Sequence, residues 1–102
     1  MVKQIKEDEF KEIINNKEKK VIIDCYADWC GPCRVLSPII DELATENKNC
    51  KFYKLNIDEA EKISREYGIM SIPTVLIFKD GKEVAKSIGL KTKEELKEII
   101  EK

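Results

Sequence analysis

The sequence predicts an α/β domain in which a central mixed sheet of about five strands is flanked by about four helices. Three observations carry that expectation. Apolar runs of strand length, Val21 to Ala27 and Thr74 to Phe78, alternate with stretches whose apolar residues recur every three or four positions. Asp58 with Glu61, and Thr92 with Glu95, have the spacing of helix-capping boxes. Asp80-Gly81 separates two strand-like runs and signals a two-residue hairpin.

Taken in order, residues 2–5 form a short first strand. Phe10, Ile13 and Ile14 put one apolar stripe on a first helix that ends in the polar run Asn15-Asn16-Lys17. The central strand, about 20–27, is apolar enough to be buried on both faces. A helix over about 32–47 buries Leu36, Ile39, Ile40 and Leu43. Pro38 lies inside it, removes a bond to the Arg34 carbonyl and predicts a kink. Residues 51–57 alternate Phe52, Lys54, Asn56 against Tyr53, Leu55, Ile57 and read as a strand. Asp58 then caps a short helix that Gly68 ends. The strand from Thr74 to Phe78 joins through the hairpin to an antiparallel partner at about 83–88. The last helix, capped by Thr92 and Glu95, buries Leu96, Ile99 and Ile100. Strands separated by helices are expected to pair in parallel, with the hairpin adding an antiparallel edge.

One hundred and two residues suit a single domain spanning 1–102. Nineteen basic against twenty acidic residues leave a net charge of −1, which points to neither nucleic acid nor an anionic membrane as partner. No stretch approaches the length of a membrane span, and Met1 to Glu7 has no apolar core like that of a signal peptide. The expected compartment is the cytoplasm, where structural disulfides are disfavoured. Four cysteines in such a chain point to redox or metal chemistry. The sequence has no histidine, so the commonest general base and metal ligand is missing.

That chemistry centres on Trp29-Cys30-Gly31-Pro32-Cys33, where the central strand hands over to a helix. Positions i and i+3 of a first helical turn share a face at about 5–6 Å, near enough for a disulfide after small adjustment. Pro32 suits the first turn, which has no use for its missing N–H. The helix start favours negative charge, so Cys30, nearer to it, is the expected thiolate nucleophile. Zinc would need two further ligands, and only Cys25 and Cys50 remain. The spacing of Cys25, Cys30, Cys33 and Cys50 also fits the opening of a plant-type iron–sulfur ligand set. Against both, Cys25 lies in a β-rich apolar run rather than a cluster-wrapping loop, and no metal is expected. Asp24 is flanked by Ile22, Ile23, Cys25 and Tyr26. Burial there raises the pKa of a carboxylate and suits a proton acceptor for a thiol near neutral pH. Trp29, beside the nucleophile, shields the disulfide and offers apolar surface to a client protein.

The pentapeptide resembles the active site of the thioredoxin family. The resemblance extends through Lys54-Leu55-Asn56-Ile57-Asp58, Tyr67-Gly68-Ile69, Ile72-Pro73-Thr74 and Phe78-Lys79-Asp80-Gly81. A bare Cys-x-x-Cys is weak, but this pentapeptide after such a strand, with Ile-Pro-Thr about forty residues later, is specific. The resemblance implies the thioredoxin fold and a general protein-disulfide reductase working through a reversible Cys30–Cys33 dithiol/disulfide. It places Asp24 on the family's buried aspartate, with Lys54 on the lysine beside it. Gly31 and Pro32 fall in the active-site loop. Ile72-Pro73 matches the family's cis proline facing the disulfide, and Gly89 lines the client groove. The resemblance also implies recycling by a thioredoxin reductase drawing on NADPH or ferredoxin, and clients such as peroxiredoxins and reductases. A monomer with no bound cofactor is expected; the chain has no Gly-x-Gly-x-x-Gly of its own. Three features depart from the commonest pattern: Tyr26 stands where tryptophan is frequent, Met70-Ser71 precede Ile72, and Cys25 and Cys50 lie outside the shared motif. A disulfide oxidase or isomerase, a non-enzymatic assembly subunit and an iron–sulfur carrier are the competing functions.

Overall fold

Residues 2–102 are described by a computed structural model. The chain runs β1 (Lys3–Ile5), α1 (Phe10–Ile14), β2 (Lys20–Tyr26), α2 (Gly31–Glu46), β3 (Cys50–Asn56), α3 (Glu61–Glu66), β4 (Thr74–Lys79), β5 (Lys82–Ile88) and α4 (Lys93–Glu101). One-turn 3-10 segments at Glu7–Glu9 and Ile57–Glu59 precede α1 and α3. The strands form one sheet in the order β1-β3-β2-β4-β5. Alternation along β2 sends Val21, Ile23 and Cys25 to a core shared with α1 and α3. Ile22 goes to the opposite core, against Leu36, Ile40 and Leu43 of α2 and Leu96 of α4. All five residues Val21 to Cys25 are buried, as expected for a strand covered on both faces.

The pairing departs from expectation at β4. β1 and β2 are parallel to β3, but β4 runs antiparallel to β2, in the register Cys25↔Thr74 and Val21↔Phe78. Two of the five strands are therefore reversed, rather than the edge alone. The reason lies in the linker. The six residues of α3 advance only about 9 Å, whereas the seven-residue β3 spans about 23 Å. So short a helix does not carry the chain back along the sheet, and β4 starts at the end where β3 finishes. This reversal puts Pro73, just before β4, beside the end of β2.

The hairpin between β4 and β5 has the expected two-residue turn. Asp80 and Gly81 both hold positive φ, at 53° and 80°, the signature of a type I′ turn. Gly81 also donates its N–H to the Ile14 carbonyl at 3.1 Å, and a Cβ there would collide with the Asn15 side chain. Asp58 does not cap α3. It sits in the Ile57–Glu59 turn, where its N–H is capped by the Asn56 side chain, and α3 begins after Ala60. Gly68, at φ +62°, ends that helix as expected. Thr92 and Glu95 form the expected reciprocal box at α4. α2 runs from Gly31–Glu46 with Pro38 inside it.

One aromatic cluster ties α1, the end of α3 and β4 together. The rings of Phe10, Tyr67 and Phe78 lie 5.3 to 5.6 Å apart in tilted or edge-on arrangements. Phe10 and Phe78 are wholly buried. Phe10→Ala is expected to lower stability by about 3–5 kcal/mol, since it removes a full ring from a site bounded by sheet and helix. Denaturant unfolding at neutral pH checks this, and a loss below about 1 kcal/mol would show that the cluster carries little.

Candidate active site

Cys30 occupies the N-cap of α2, with extended backbone at φ −92° and ψ 110°. Its Sγ accepts the Cys33 N–H at 3.2 Å, the role an Asp or Ser oxygen usually fills at a helix start. Pro32 lies in the first turn, where no intrahelical partner awaits an N–H. Cys30 and Cys33 are joined as a disulfide, with Cα atoms 5.3 Å apart. In the reduced pair, the N–H donor and the helix dipole favour a thiolate on Cys30. Gly31 has no atom within 4 Å of where a Cβ would sit, and Pro32 is exposed, so the loop between the cysteines is open to a partner.

The dithiol is covered from the β4 side. Ile72-Pro73 is a cis peptide, and the Ile72 carbonyl lies 3.8 Å from Cys30 Sγ. Gly89, at φ +89°, donates its N–H to the Pro73 carbonyl at 2.8 Å, tying the end of β5 to the same loop. Space beyond Gly89 is open. Around this loop the chain exposes Met70, Ile88 and Leu90. Trp29 is 67% exposed, and its Nε1 donates to Asp58 Oδ2 at 2.8 Å. Both cysteines are only 4% exposed, so accessibility does not tell the two sulfurs apart. What separates them is company. Cys30 faces the Ile72 carbonyl, and Cys33 faces a cavity.

That cavity, of about 160 Å³, is lined by Asp24, Tyr26, Ala27, Asp28, Cys33, Arg34, Ser37 and Lys54. Asp24 and Lys54 are register partners on β2 and β3, pointing to the α2 side. Asp24 is 4% exposed, and its Oδ1 has no hydrogen-bond partner. Burial pushes its carboxyl from the ordinary 3.8 up to about 7; Lys54 pulls it down and Asp41 pushes it up. Among the described residues Asp24 makes no ion pair. The Lys54 ammonium instead lies over the Tyr26 ring, 5.9 Å from its centroid. Cys25 is buried on the opposite face of the sheet, where burial pushes its thiol up. Cys50 stands at the start of β3, the opposite end from Cys30. The described residues gather no three of His, Cys, Asp and Glu into a group that holds a metal.

The family model described as Thioredoxin matches residues 1–102. The chain belongs to the thioredoxin family. A thioredoxin of Mycoplasmoides gallisepticum is 52% identical over 82 residues, covering 80% of this chain and 82% of that one. A thioredoxin of Chlamydia pneumoniae is 46% identical over 102 residues, covering 100% and 98%. The solved structure of a Plasmodium falciparum thioredoxin superposes with a TM-score of 0.90 at 34% identity, over 98% of this chain and 97% of that one. A second solved structure superposes with a TM-score of 0.89 at 30% identity, over 98% and 93%. It concerns thiol resolution in a yeast mitochondrial 1-Cys peroxiredoxin via glutathione and thioredoxin systems. The fold is the thioredoxin fold, and the activity class is protein-disulfide oxidoreductase.

Within this thioredoxin frame, three neighbours of the dithiol were not picked out from sequence. Asp58 looked like a cap and instead holds the Trp29 indole. Arg34 donates to the Asp28 carbonyl at 2.7 Å and closes one wall of the cavity. Ser37 lies one turn beyond Cys33, a spacing visible in the sequence, but nothing there shows that the two share a cavity with Asp24. No helix is long and apolar enough to cross a membrane among the described residues.

The buried carboxylate has a thermodynamic signature. The unfolded chain ionises near 3.8 and the folded one near 7, so the unfolded state is favoured progressively as pH rises between those values. Below about pH 4 the group costs nothing by this route. Above pH 7 the penalty is constant, on the order of 4 kcal/mol at about 1.4 kcal/mol per pH unit. Asp24→Asn is therefore expected to be more stable than the parent by about 2–4 kcal/mol at pH 8, and nearly equal to it at pH 4. Denaturant unfolding of both proteins at the two pH values checks this. A variant less stable than the parent at pH 8 would mean that the carboxylate is well solvated or paired.

Proposed function

We propose that this protein reduces disulfides in a range of client proteins and is recycled by a thioredoxin reductase. The observation that carries the reading is Cys30 Sγ at the N-cap of α2, accepting the Cys33 N–H and covered by the Ile72 carbonyl. In the first step Cys30 thiolate attacks a client disulfide. A Cys30–client disulfide forms, the client's own S–S bond breaks, and one client thiolate leaves. In the second step Cys33 sulfur attacks Cys30 Sγ; the Cys30–Cys33 bond forms and the second client thiolate leaves. The client gains two electrons and the dithiol loses two. Asp24 accepts the Cys33 proton, and Lys54 beside it favours the ionised form that can do so.

Client chains would lie along Trp29, Ile72, Pro73 and Gly89. The exposed apolar side chains around this loop suit contacts with an extended client segment. Peroxiredoxins are among the clients we infer, in keeping with the peroxiredoxin system of the yeast structural relative. The reductase would return two electrons to the disulfide from NADPH or ferredoxin. We place this chemistry in the cytoplasm, in a monomer without a bound cofactor.

Single cysteine variants test the assignment. Cys30→Ser is expected to abolish reduction of a generic disulfide protein such as insulin. Cys33→Ser should still attack, then accumulate as a mixed disulfide through Cys30. Mass spectrometry of the trapped species identifies the linked cysteine, and a cross-link through Cys33 would reverse the roles. Failure of the parent protein, pre-reduced with dithiothreitol, to reduce insulin at all would favour a non-enzymatic assembly role.

A further inference from the structure

We propose that Ser37 is a positioning residue for proton removal from Cys33, holding a hydrogen-bonded path between the Cys33 thiol and the Asp24 carboxylate. The inference rests on the proposed role of Asp24 as proton acceptor. Three observations lead to it. The three side chains line one cavity of about 160 Å³, which has room for ordered water at about 30 Å³ per molecule. Ser37 is one helical turn beyond Cys33, which puts its hydroxyl on the face of α2 that carries the thiol. Asp24 Oδ1 is buried without a hydrogen-bond partner, in a place where a lone carboxylate oxygen is costly.

A serine hydroxyl is suited to this task because it donates and accepts at once. It can accept a hydrogen bond from the thiol, directly or through water, while its own O–H points toward the carboxylate side. The proton leaving Cys33 passes along that path to Asp24, and the sulfur is left with the electron pair that attacks Cys30 Sγ. The other charged groups facing the path are Lys54 on β3, Asp28 and Arg34 in the cavity wall, and Asp41 further along α2. None of them offers a neutral group that both donates and accepts. Tyr26, the remaining polar wall, has its ring beneath the Lys54 ammonium.

The test measures resolution of a preformed mixed disulfide between Cys30 and a client peptide, in single turnover from pH 6 to pH 10. Four proteins are compared with the parent: Ser37→Ala, Ser37→Thr, Asp24→Asn and the Ser37→Ala/Asp24→Asn double variant. Ser37→Ala is expected to resolve about 3- to 10-fold more slowly at pH 7, converging on the parent above about pH 9.5, where thiols ionise unaided. Ser37→Thr keeps the hydroxyl and should recover most of the rate. In the Asp24→Asn background, Ser37→Ala should add less than about 2-fold, since the path then leads nowhere. The rate of the first attack by Cys30 should not change in Ser37→Ala. An equal slowing at every pH, or full additivity with Asp24→Asn, would overturn the proposal and leave Ser37 a packing residue. If Asp24→Asn is slow while Ser37→Ala matches the parent, Ser37 alone loses its role. If Asp24→Asn itself resolves at the parent rate, the acceptor role of Asp24 falls and this proposal with it.

Discussion

The structure depends on β2 being enclosed on every side. It is hydrogen-bonded to β3 on one edge and β4 on the other, and a separate core covers each face. Five consecutive residues of this strand are therefore out of water. Four of them, Val21, Ile22, Ile23 and Cys25, gain from that by apolar burial. The fifth is Asp24, which loses by it. Only Ala27, Asp28 and Trp29 separate the end of β2 from Cys30 at the cap of α2, so the rigidity that burial gives β2 carries over to the position of Cys30. A cysteine on a helix cap is held only as well as the strand that delivers the chain to it.

The opposite wall of the site follows from the reversal of β4. A parallel β4 would start at the far end of the sheet, and Pro73 would be a strand's length from the dithiol. Because α3 is short, the chain enters β4 at the end where β2 finishes, and the Ile72 carbonyl meets Cys30 Sγ. The β5 hairpin then brings Gly89 back to Pro73. Three segments distant in sequence thus meet at one end of the sheet. The aromatic cluster of Phe10, Tyr67 and Phe78 steadies the α3–β4 connection from below.

Much of this was legible in the sequence, for reasons that differ from part to part. The type I′ turn at Asp80-Gly81 and the box at Thr92 and Glu95 are local chemistry, fixed by residues within four positions of each other. The enclosure of β2 followed from an apolar run with one carboxylate inside it. The strand–helix placement of Cys30 followed from an apolar run meeting a three-and-four periodicity. The direction of β4 was not legible from those rules, because it depends on the length of α3 relative to the strands it connects. Asp58 departs from its local pattern for a related reason. Its spacing to Glu61 fits a cap, but Asn56 caps the turn, and a tryptophan 29 residues earlier claims the carboxylate. The cis state of Pro73 came from resemblance, since nothing in a lone Ile-Pro pair requires it.

The electrostatics around Asp24 decide what it can do. Were Lys54 paired directly with the carboxylate, the attraction would hold it ionised and poorly basic, and a buried ion pair would replace a proton site. Instead Lys54 rests over the Tyr26 ring, near enough to lower the pKa but not to saturate an oxygen. Asp41 opposes it from α2. Burial remains the largest influence, and the carboxyl settles near 7, where it exchanges a proton readily at neutral pH. The aromatic ring at position 26 thus has an electrostatic role that its apolar character hides. By engaging the ammonium, it leaves Asp24 Oδ1 without a partner and facing the need for one. In the proposed mechanism that partner is the proton leaving Cys33. The stability lost by burying Asp24 and the basicity gained by it therefore have the same physical origin, and a substitution that recovers the first gives up the second.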